Sequence, residues 1–255
     1  MRESNSLGAM SIEWPPELAG FVNFRDLGGR AVPGGTLREG RIFRSDSLAH
    51  AGDEHVAHLV EERGVRTVVD LRGETEVEAF PNQPMADAGV TVHHIPLIDP
   101  AARERERSEV DWENLTLVGL YQHLLRNSGP RFAAALRVIC NPDNHPLVFH
   151  CAAGKDRAGL TAAITLGLLG VGDDEIVDDY ARTSAVVDEL MARAKARAGD
   201  SGRAPHDRFM TAEAETMRET LEWWHEQYGT IEQYMLGNGL AQDAIDALRS
   251  SMIVS

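Results

Sequence analysis

The chain has 255 residues, of which 43% are hydrophobic and 25% charged, a balance typical of a soluble globular protein built around one large domain. The formal net charge of -15 argues against a nucleic-acid binder and against docking on anionic lipid, so an anionic substrate would need a local basic pocket. Two cysteines cannot form a disulfide framework, and residues 1–16 lack the apolar core of a signal peptide. No apolar run reaches the roughly 18 residues of a membrane span. We therefore expect a reduced, cytoplasmic protein with no integral membrane segment, and export without a signal would leave no trace in the sequence.

Short apolar segments alternate with helical patterns through the first two thirds of the chain. Residues 31–45 have glycine turns between short β-prone pieces, which predicts a small hairpin at an edge, ahead of the main fold. Because the apolar segments are short and almost uncharged, we expect an α/β fold with a central, mostly parallel sheet flanked by helices. The patterns predict strands over 65–71, 91–97 and 147–150, and helices over 53–63, 114–126 and 131–140.

The last third of the chain is helical by pattern. A helix follows residue 156, and its apolar positions recur at helical spacing, which predicts one stripe packed on the sheet: Leu160, Ala163, Ile164, Gly167 and Leu168. A polar break at 199–205 separates later helical stretches, and a capping box of Thr230 with Gln233 predicts a last pair of helices ending near residue 250. The helical stretches cover 173–180, 185–198 and 211–228.

The stretch HCAAGKDRAG, residues 150–159, carries the chemistry. Cys151 follows a short apolar strand and precedes a glycine-bearing loop and a helix start, so several backbone N–H groups and the positive helix end converge near its sulfur. An anion belongs at that point, and the same field favours the thiolate form of the cysteine. Arg157 can hold two oxygens of a phosphoryl group with its planar fork. The spacing predicts a phosphate trap lined by the backbone of Ala152, Ala153, Gly154, Lys155 and Ala158.

This loop resembles the HCxxGxxR signature of cysteine-dependent protein tyrosine phosphatases, in the HCxxGKDR form of a bacterial subgroup. The stretches NFRDLGG at 23–29, RIFRS at 41–45 and DLR at 70–72 are similar to that subgroup as well. The resemblance implies a phosphatase-like fold and hydrolysis of phosphomonoesters through a phosphocysteine, without a metal or other cofactor. The implied substrates are phosphotyrosine, with phosphoserine, phosphothreonine and phosphoinositides in some members, and the implied product is inorganic phosphate.

On this basis we expect one phosphatase domain over residues 1–255, with four parts. The core would span 51–183 and carry the phosphate loop at 150–157. Residues 184–228 would form a helical lid or cap over the pocket, since they follow the core and contain the polar break. The other two parts are an N-terminal hairpin region at 20–50 and C-terminal helices at 229–255.

The leaving group needs a proton, and two aspartates compete for that role. Asp156 lies inside the loop and is the favoured general acid, whereas Asp99 follows a predicted strand where related phosphatases carry a mobile acid. Asp70, at the end of its strand, is a third candidate but fits better as a supporting ion-pair partner. His150 is expected to orient the loop, and Lys155 to bind a second anionic group of the substrate.

Two other classes remain open from the sequence. The chain could be a phosphate-binding module with little or no turnover, or an arsenate reductase, which shares the Cys-x5-Arg loop. An arsenate reductase needs further resolving cysteines, and the count of two disfavours it. Rhodaneses are disfavoured because their loop is typically shorter. Hydrolysis of para-nitrophenyl phosphate with and without Cys151→Ser separates these classes.

Overall fold

A computed structural model describes residues 20–98, 111, 114–198 and 209–255 of the chain. The strands are β1 Arg25–Asp26, β2 Ala31–Val32, β3 Gly35–Leu37, β4 Ile42–Ser45, β5 Thr67–Asp70, β6 Thr91–His94, β7 Leu147–His150 and β8 Ile253–Val254. Strands and helices alternate from β4 to β7, as the sequence predicts, and almost all of the chain after β7 is helical.

The α-helices before β6 are short, with five or six residues each, and most of the later ones are longer. One wide π-type turn, His58–Glu62, continues the first helix, and Gly64 at φ +67° follows it. The helices are α1 Asp53–Ala57, α2 Glu74–Ala79, α3 Gln83–Asp87, α4 Leu117–Asn127, α5 Gly129–Ile139, α6 Asp156–Leu168, α7 Asp173–Ala181, α8 Val187–Ala198, α9 Ala214–Tyr228, α10 Ile231–Gly237 and α11 Gln242–Met252.

The central sheet has five strands in the order β1-β4-β7-β5-β6, and all of its neighbours pair in parallel except β1 with β4. The register aligns the last residues of the four parallel strands in one row: Ser45, His150, Asp70 and His94. Ligands bind beyond the carboxyl ends of strands in such sheets, so this row marks the edge of the sheet where chemistry is expected. The fold is the predicted mostly parallel α/β sheet.

Alternate strand residues point to opposite faces of the sheet, and a separate apolar core covers each face. Phe43, Val68 and Val148 contribute to the smaller core, which includes Leu59 from the π-type turn and Met85 from α3. The neighbouring residues on the same strands point to the other face and contribute to the larger core, and the later helices pack against that face. These strand residues are Ile42, Val69, Leu147 and Phe149. Helices therefore cover both faces, as predicted.

Helix α6 is buried more completely than the predicted single stripe. Ala158, Thr161 and Thr165 are all buried, although none belongs to that stripe. Both threonine hydroxyls donate to the carbonyl four residues earlier, so they need no water. The helix has small residues on several sides, and α7 and α10 pack against it in addition to the sheet strands. It is the central helix of the larger core.

The prediction that residues 42–45 belong to an edge hairpin is wrong. Only β2 and β3 form the hairpin, and β8 from the C-terminus pairs with β3, a strand that the sequence pattern did not indicate. Strand β4 lies inside the central sheet between β1 and β7, with all four residues buried. Its Arg44 gives the segment a polar appearance, but the guanidinium is buried in an ion pair with Asp179.

The predicted lid at 184–228 contains two helices with different packing. Helix α9 contributes Met217, Leu221 and Trp224 to the larger core, and a lid or cap role for this helix stays a prediction. Helix α8 is tied down by Arg193, which donates to the backbone carbonyl of Gly20. The polar break at 199–205 lies outside the described residues, and a lid role for α8 stays a prediction.

Among the described residues, no helix has the length and apolar character needed to cross a bilayer.

Candidate active site

The loop between β7 and α6 brings Cys151 and Arg157 to the edge where the parallel strands end. Gly154 makes the turn possible, with φ at +67°, a backbone conformation that favours glycine. A Cβ at this position would lie 2.6 Å from the carbonyl oxygen of Ser45 and from the amide nitrogen of Asp46. The loop therefore packs directly on the end of β4, with no room for a side chain.

Four consecutive carbonyl groups of the loop accept hydrogen bonds from groups outside the loop. We call the segment Cys151–Gly154 with these four donors the cradle. The donors come from β7, from the turn after β4, from the segment before β1 and from β4 itself. They are His150 Nδ1 to the Cys151 carbonyl at 3.1 Å, Ser47 N–H to Ala152 at 3.2 Å, Asn23 Nδ2 to Ala153 at 3.0 Å and an Arg44 guanidinium nitrogen to Gly154 at 2.6 Å.

This arrangement orients the loop N–H groups. In a trans peptide the carbonyl and the next N–H point in opposite directions, so N–H groups of residues 152–155 point away from the donors and toward the mouth of the loop. Helix α6 begins at Asp156 and adds its own unsatisfied N–H groups and its positive end. The cradle thus suits a tetrahedral oxyanion such as a phosphoryl group.

Cys151 and Arg157 stand at the two ends of the loop. The cysteine is only 2% exposed, and the arginine side chain is 13% exposed. Glu76 of α2 holds the guanidinium with both carboxylate oxygens, at 2.5 and 2.9 Å. This bidentate contact fixes the plane of the guanidinium, and the N–H groups not bonded to Glu76 can meet a phosphoryl group.

The pair of Glu76 with Arg157 is charged on both sides. Burial alone would raise the pKa of Glu76, but the adjacent Arg157 charge and its hydrogen bonds lower this pKa to about 2. Burial opposes the charged form of Arg157, yet the Glu76 carboxylate raises the pKa of the guanidinium, with smaller contributions from Cys151 and Asp156. Sequence reasoning missed Glu76, because nothing in a single sequence links residues that are 81 positions apart.

His150 lies in a buried polar network below the cysteine. Asn82 donates to Asp70 Oδ2 at 2.8 Å and contacts His150 Nε2 at 2.9 Å. Since Nδ1 of the histidine donates to the Cys151 carbonyl, Nε2 accepts from the amide and the ring is neutral. Burial lowers the pKa of His150 to about 4, which agrees with a neutral ring. The histidine fits the predicted orienting role.

Asp70 is an ion-pair partner rather than a proton donor. Its carboxylate accepts from Arg72 Nε at 2.9 Å and from another guanidinium nitrogen at 2.7 Å, and the residue is 1% exposed. Burial would raise the pKa of Asp70, but the charge and hydrogen bonds of Arg72 lower it well below its usual range. A carboxylate that stays ionised in this way cannot supply a proton near neutral pH.

A second buried charge cluster supports the loop from below. The Asp179 carboxylate of α7 accepts from three arginines, at 3.1 Å from Arg25, 2.8 Å from Arg30 and 2.5 Å from Arg44. Burial would raise the pKa of Asp179, but these arginines lower it to about 2. The cluster therefore has an excess of positive charge, and Arg44 connects it to the Gly154 carbonyl. The sequence marked residues 23–29 only by their similarity to the bacterial subgroup and did not indicate the contact with Asp179.

Asp156 has an environment of its own at the start of α6. Its Oδ1 accepts from the Tyr121 hydroxyl at 2.7 Å and lies 2.7 Å from the Lys155 ammonium. The aspartate side chain is 30% exposed, whereas the lysine is fully buried, with its ammonium 6.0 Å from the centre of the Tyr121 ring. In this conformation the lysine contacts Asp156, so binding of a second substrate anion by Lys155 stays a prediction. Asp99 lies outside the described residues.

Ala158 occupies the position after the arginine. Its methyl group is fully buried in the larger core, so this residue can offer a substrate only its backbone N–H.

A cavity of about 590 Å³ lies elsewhere, between α1 and α3, and is lined by residues such as Val56 and Pro84. None of the loop residues lines it, and the chemistry of the loop identifies the site better than the size of that cavity.

Comparison with known proteins agrees with the loop. The model of the tyrosine phosphatase family matches residues 16–254. The triple specificity protein phosphatase PtpB of Mycobacterium tuberculosis is 27% identical over 283 residues, covering 93% of this chain and 98% of that protein. A Cupriavidus necator protein provisionally named a tyrosine-protein phosphatase is 31% identical over 210 residues, covering 77% of this chain and 74% of that protein.

Among solved structures, the core catalytic domain of the PP-IP phosphatase SIW14 from S. cerevisiae is similar, with 20% sequence identity and a TM-score of 0.38. It covers 64% of this chain and 77% of that one. The family match spans nearly the whole described region, including the loop with Cys151 and Arg157. The chain therefore belongs to the tyrosine phosphatase family and is a cysteine-dependent phosphatase that hydrolyses phosphomonoesters.

Proposed function

We propose that Cys151 is the nucleophile, that Arg157 and the cradle bind the phosphoryl group, and that Asp156 is the general acid. The Cys151 sulfur attacks phosphorus in line, an S–P bond forms and the ester P–O bond breaks. Asp156 protonates the departing oxygen. Water then attacks the phosphocysteine, Asp156 takes a proton from that water, and the S–P bond breaks to give inorganic phosphate and free Cys151.

The clamping of four consecutive loop carbonyls is the observation that carries this proposal. Each clamp comes from outside the segment Cys151–Gly154, so the N–H groups are oriented before substrate arrives and need no reorganisation as charge develops on phosphorus. A preorganised oxyanion site next to a cysteine and an arginine supports phosphoryl transfer to sulfur. The same geometry would serve a phosphate-binding module, and the family membership favours turnover.

The position of Asp156 supports its assignment as the acid. It lies next to the loop with a side chain that is 30% exposed, and its charge acts on the Arg157 guanidinium. Glu76 is engaged by Arg157, and Asp70 by Arg72. Asp99 is the alternative acid, and the leaving-group experiments in the Discussion separate the two.

The proposed substrates are phosphotyrosine first, with phosphoserine, phosphothreonine and phosphoinositides as further substrates. PtpB is named for triple specificity, which supports testing all of these substrates on this chain. A panel of phosphotyrosine peptides, phosphoserine peptides and phosphoinositide vesicles, assayed side by side for phosphate release, ranks them. If the enzyme releases phosphate from none of these substrates, the proposal is wrong.

Cys151→Ser tests the assignment of the nucleophile. The cradle and Arg157 do not depend on the sulfur, so the variant should still bind vanadate while hydrolysis of para-nitrophenyl phosphate falls by a factor on the order of 10⁴ or more. Hydrolysis at the wild-type rate would overturn the assignment.

A cytoplasmic location is part of the proposal, since the chemistry needs a reduced cysteine, and both cysteines are free. Cell fractionation tests it.

A further inference from the structure

A buried tyrosine stands behind the proposed general acid. Tyr121 of α4 is fully buried, and its hydroxyl donates to Asp156 Oδ1 at 2.7 Å. The fully buried Lys155 ammonium lies 2.7 Å from the same oxygen. Both partners of Oδ1 are inside the protein, which leaves Oδ2 as the oxygen to face a substrate.

A second tyrosine fixes the direction of this hydrogen bond. The Tyr180 hydroxyl of α7 lies 2.7 Å from the Tyr121 hydroxyl, and the rings meet edge to face at 5.9 Å. Since Tyr121 gives its proton to a carboxylate, Tyr180 is the donor to Tyr121. Burial and the Asp156 charge raise the pKa of Tyr121 well above its ordinary value, so it stays a donor at any working pH.

The two contacts of Oδ1 decide which oxygen carries the proton. An oxygen that already faces a hydroxyl donor and an ammonium is a poor site for a third hydrogen, so a protonated Asp156 carries its proton on Oδ2. We propose that Tyr121 is a positioning residue for the phosphatase reaction: its hydroxyl holds Oδ1 and presents the Oδ2 proton to the leaving oxygen. The proposal rests on the assignment of Asp156 as general acid.

The proton balance is the same as in the proposed function. The Oδ2–H bond breaks as the P–O bond of the ester breaks, and the proton goes to the leaving oxygen. Oδ2 later takes a proton from the attacking water. Tyr121 keeps its own proton throughout and donates to Oδ1 in both protonation states of the carboxyl group.

Tyr121→Phe removes the hydroxyl and keeps the ring. We expect kcat/KM for phenyl phosphate to fall about ten- to a hundredfold, because the phenol needs the proton. For para-nitrophenyl phosphate, whose leaving group is acidic, we expect a change within about threefold. The quantity kcat/KM reports P–O cleavage even where a later step limits turnover. An equal loss for both substrates would mark a merely structural role and overturn the proposal.

Tyr234→Phe is the matched control. Tyr234 is a buried tyrosine whose hydroxyl donates to the Leu125 carbonyl, on the same helix α4 but away from Asp156. The Tyr234→Phe variant loses a comparable hydrogen bond, and its kcat/KM should stay within about twofold of the wild type for both substrates. A leaving-group-dependent loss in Tyr234→Phe would show that loosening α4 alone produces the effect, and it would overturn the positioning role.

A double variant separates this proposal from the one it rests on. If Tyr121 acts through Asp156, Tyr121→Phe should have no further effect on phenyl phosphate hydrolysis in an Asp156→Asn background. A full additional loss there would overturn the positioning role. If Asp156→Asn itself shows no dependence on the leaving group, the acid assignment fails, and this proposal fails with it. If Asp156→Asn shows a loss that depends on the leaving group and Tyr121→Phe shows none, the positioning role of Tyr121 is wrong and the acid assignment still holds.

Discussion

The two ends of the phosphate loop are built differently. The cradle has four carbonyl clamps from separate parts of the chain, and most of the groups that hold it are buried. The acid end consists of Lys155 and Asp156 with Tyr121, and there the Asp156 side chain is 30% exposed. Redundant clamps suit a site that must bind an oxyanion in every step, whereas a partly exposed acid can reach leaving groups of different shapes.

The comparison predicts that losses at the acid end depend on the leaving group, while losses at the cradle do not. Among the variants that test this difference, the largest effect is expected for Asp156→Asn. Without its proton donor, kcat/KM for phenyl phosphate should fall about 10²- to 10⁴-fold, and that for para-nitrophenyl phosphate much less. A series of aryl phosphates measures the dependence. If Asp99→Asn alone gives this pattern, the acid lies at Asp99.

The network under the cradle should make the fold sensitive to acid. The unfolded chain protonates His150 near pH 6.5, but burial keeps the folded pKa at about 4, so the unfolded state binds more protons between these values. The free energy of unfolding should therefore fall as pH drops from 6.5 to 4, by on the order of 3 kcal/mol from this residue. Urea titrations across this range measure it.

His150→Gln is the comparison for that experiment. Glutamine does not titrate, so the variant should lose less stability than the wild type over the same pH range, whatever its stability near neutral pH. The difference between the two curves removes the contribution of the buried Asp46, whose raised pKa acts in the opposite direction. Parallel curves would show that His150 is already protonated in the folded protein.

Glu76→Gln should lower kcat/KM about ten- to a hundredfold for all aryl phosphates alike. The substitution removes the charge that faces Arg157 and one of the two contacts that fix its guanidinium, and this arginine serves every step. Glu78→Gln, at an exposed position of the same helix, is the control and should stay near the wild-type rate. A loss restricted to poor leaving groups would place Glu76 at the acid end instead.

Asn23→Ala should have the smallest effect. It removes one of the four cradle clamps, and the other three remain, so vanadate affinity should fall only about three- to tenfold. The leaving-group dependence should stay that of the wild type. Loss of all vanadate binding in a folded variant would show that the clamps are not redundant.

The sequence alone could indicate the loop as a candidate site because its chemistry is contiguous. Cys151 and Arg157 lie in one stretch of seven residues between a strand and a helix, and both the spacing and the residue types point to an oxyanion. The supports come from far along the chain: Asn23 reaches Ala153 over 130 positions and Arg44 reaches Gly154 over 110. A single sequence contains no signal that pairs such residues.

The errors in the predicted fold have the same origin. The glycine turns of residues 31–45 suggest one edge hairpin, whereas β4 is an inner strand whose buried Arg44 pairs with the Asp179 carboxylate on α7 and donates to the Gly154 carbonyl. Strand β8 has only two residues, and they are extended because they pair with β3, which lies beside them. Both depend on tertiary contacts that local patterns do not record.

The central claim is that Cys151 on the clamped loop forms a covalent phosphoenzyme. The most direct measurement is rapid acid quenching of the wild type during turnover of an aryl phosphate, followed by mass spectrometry of the proteolytic peptides. We expect a phosphoryl group on Cys151 of the wild type and none on the corresponding peptide of Cys151→Ser. A phosphoryl group on another residue during turnover, or a burst of phenol release with Cys151 unmodified, would contradict it.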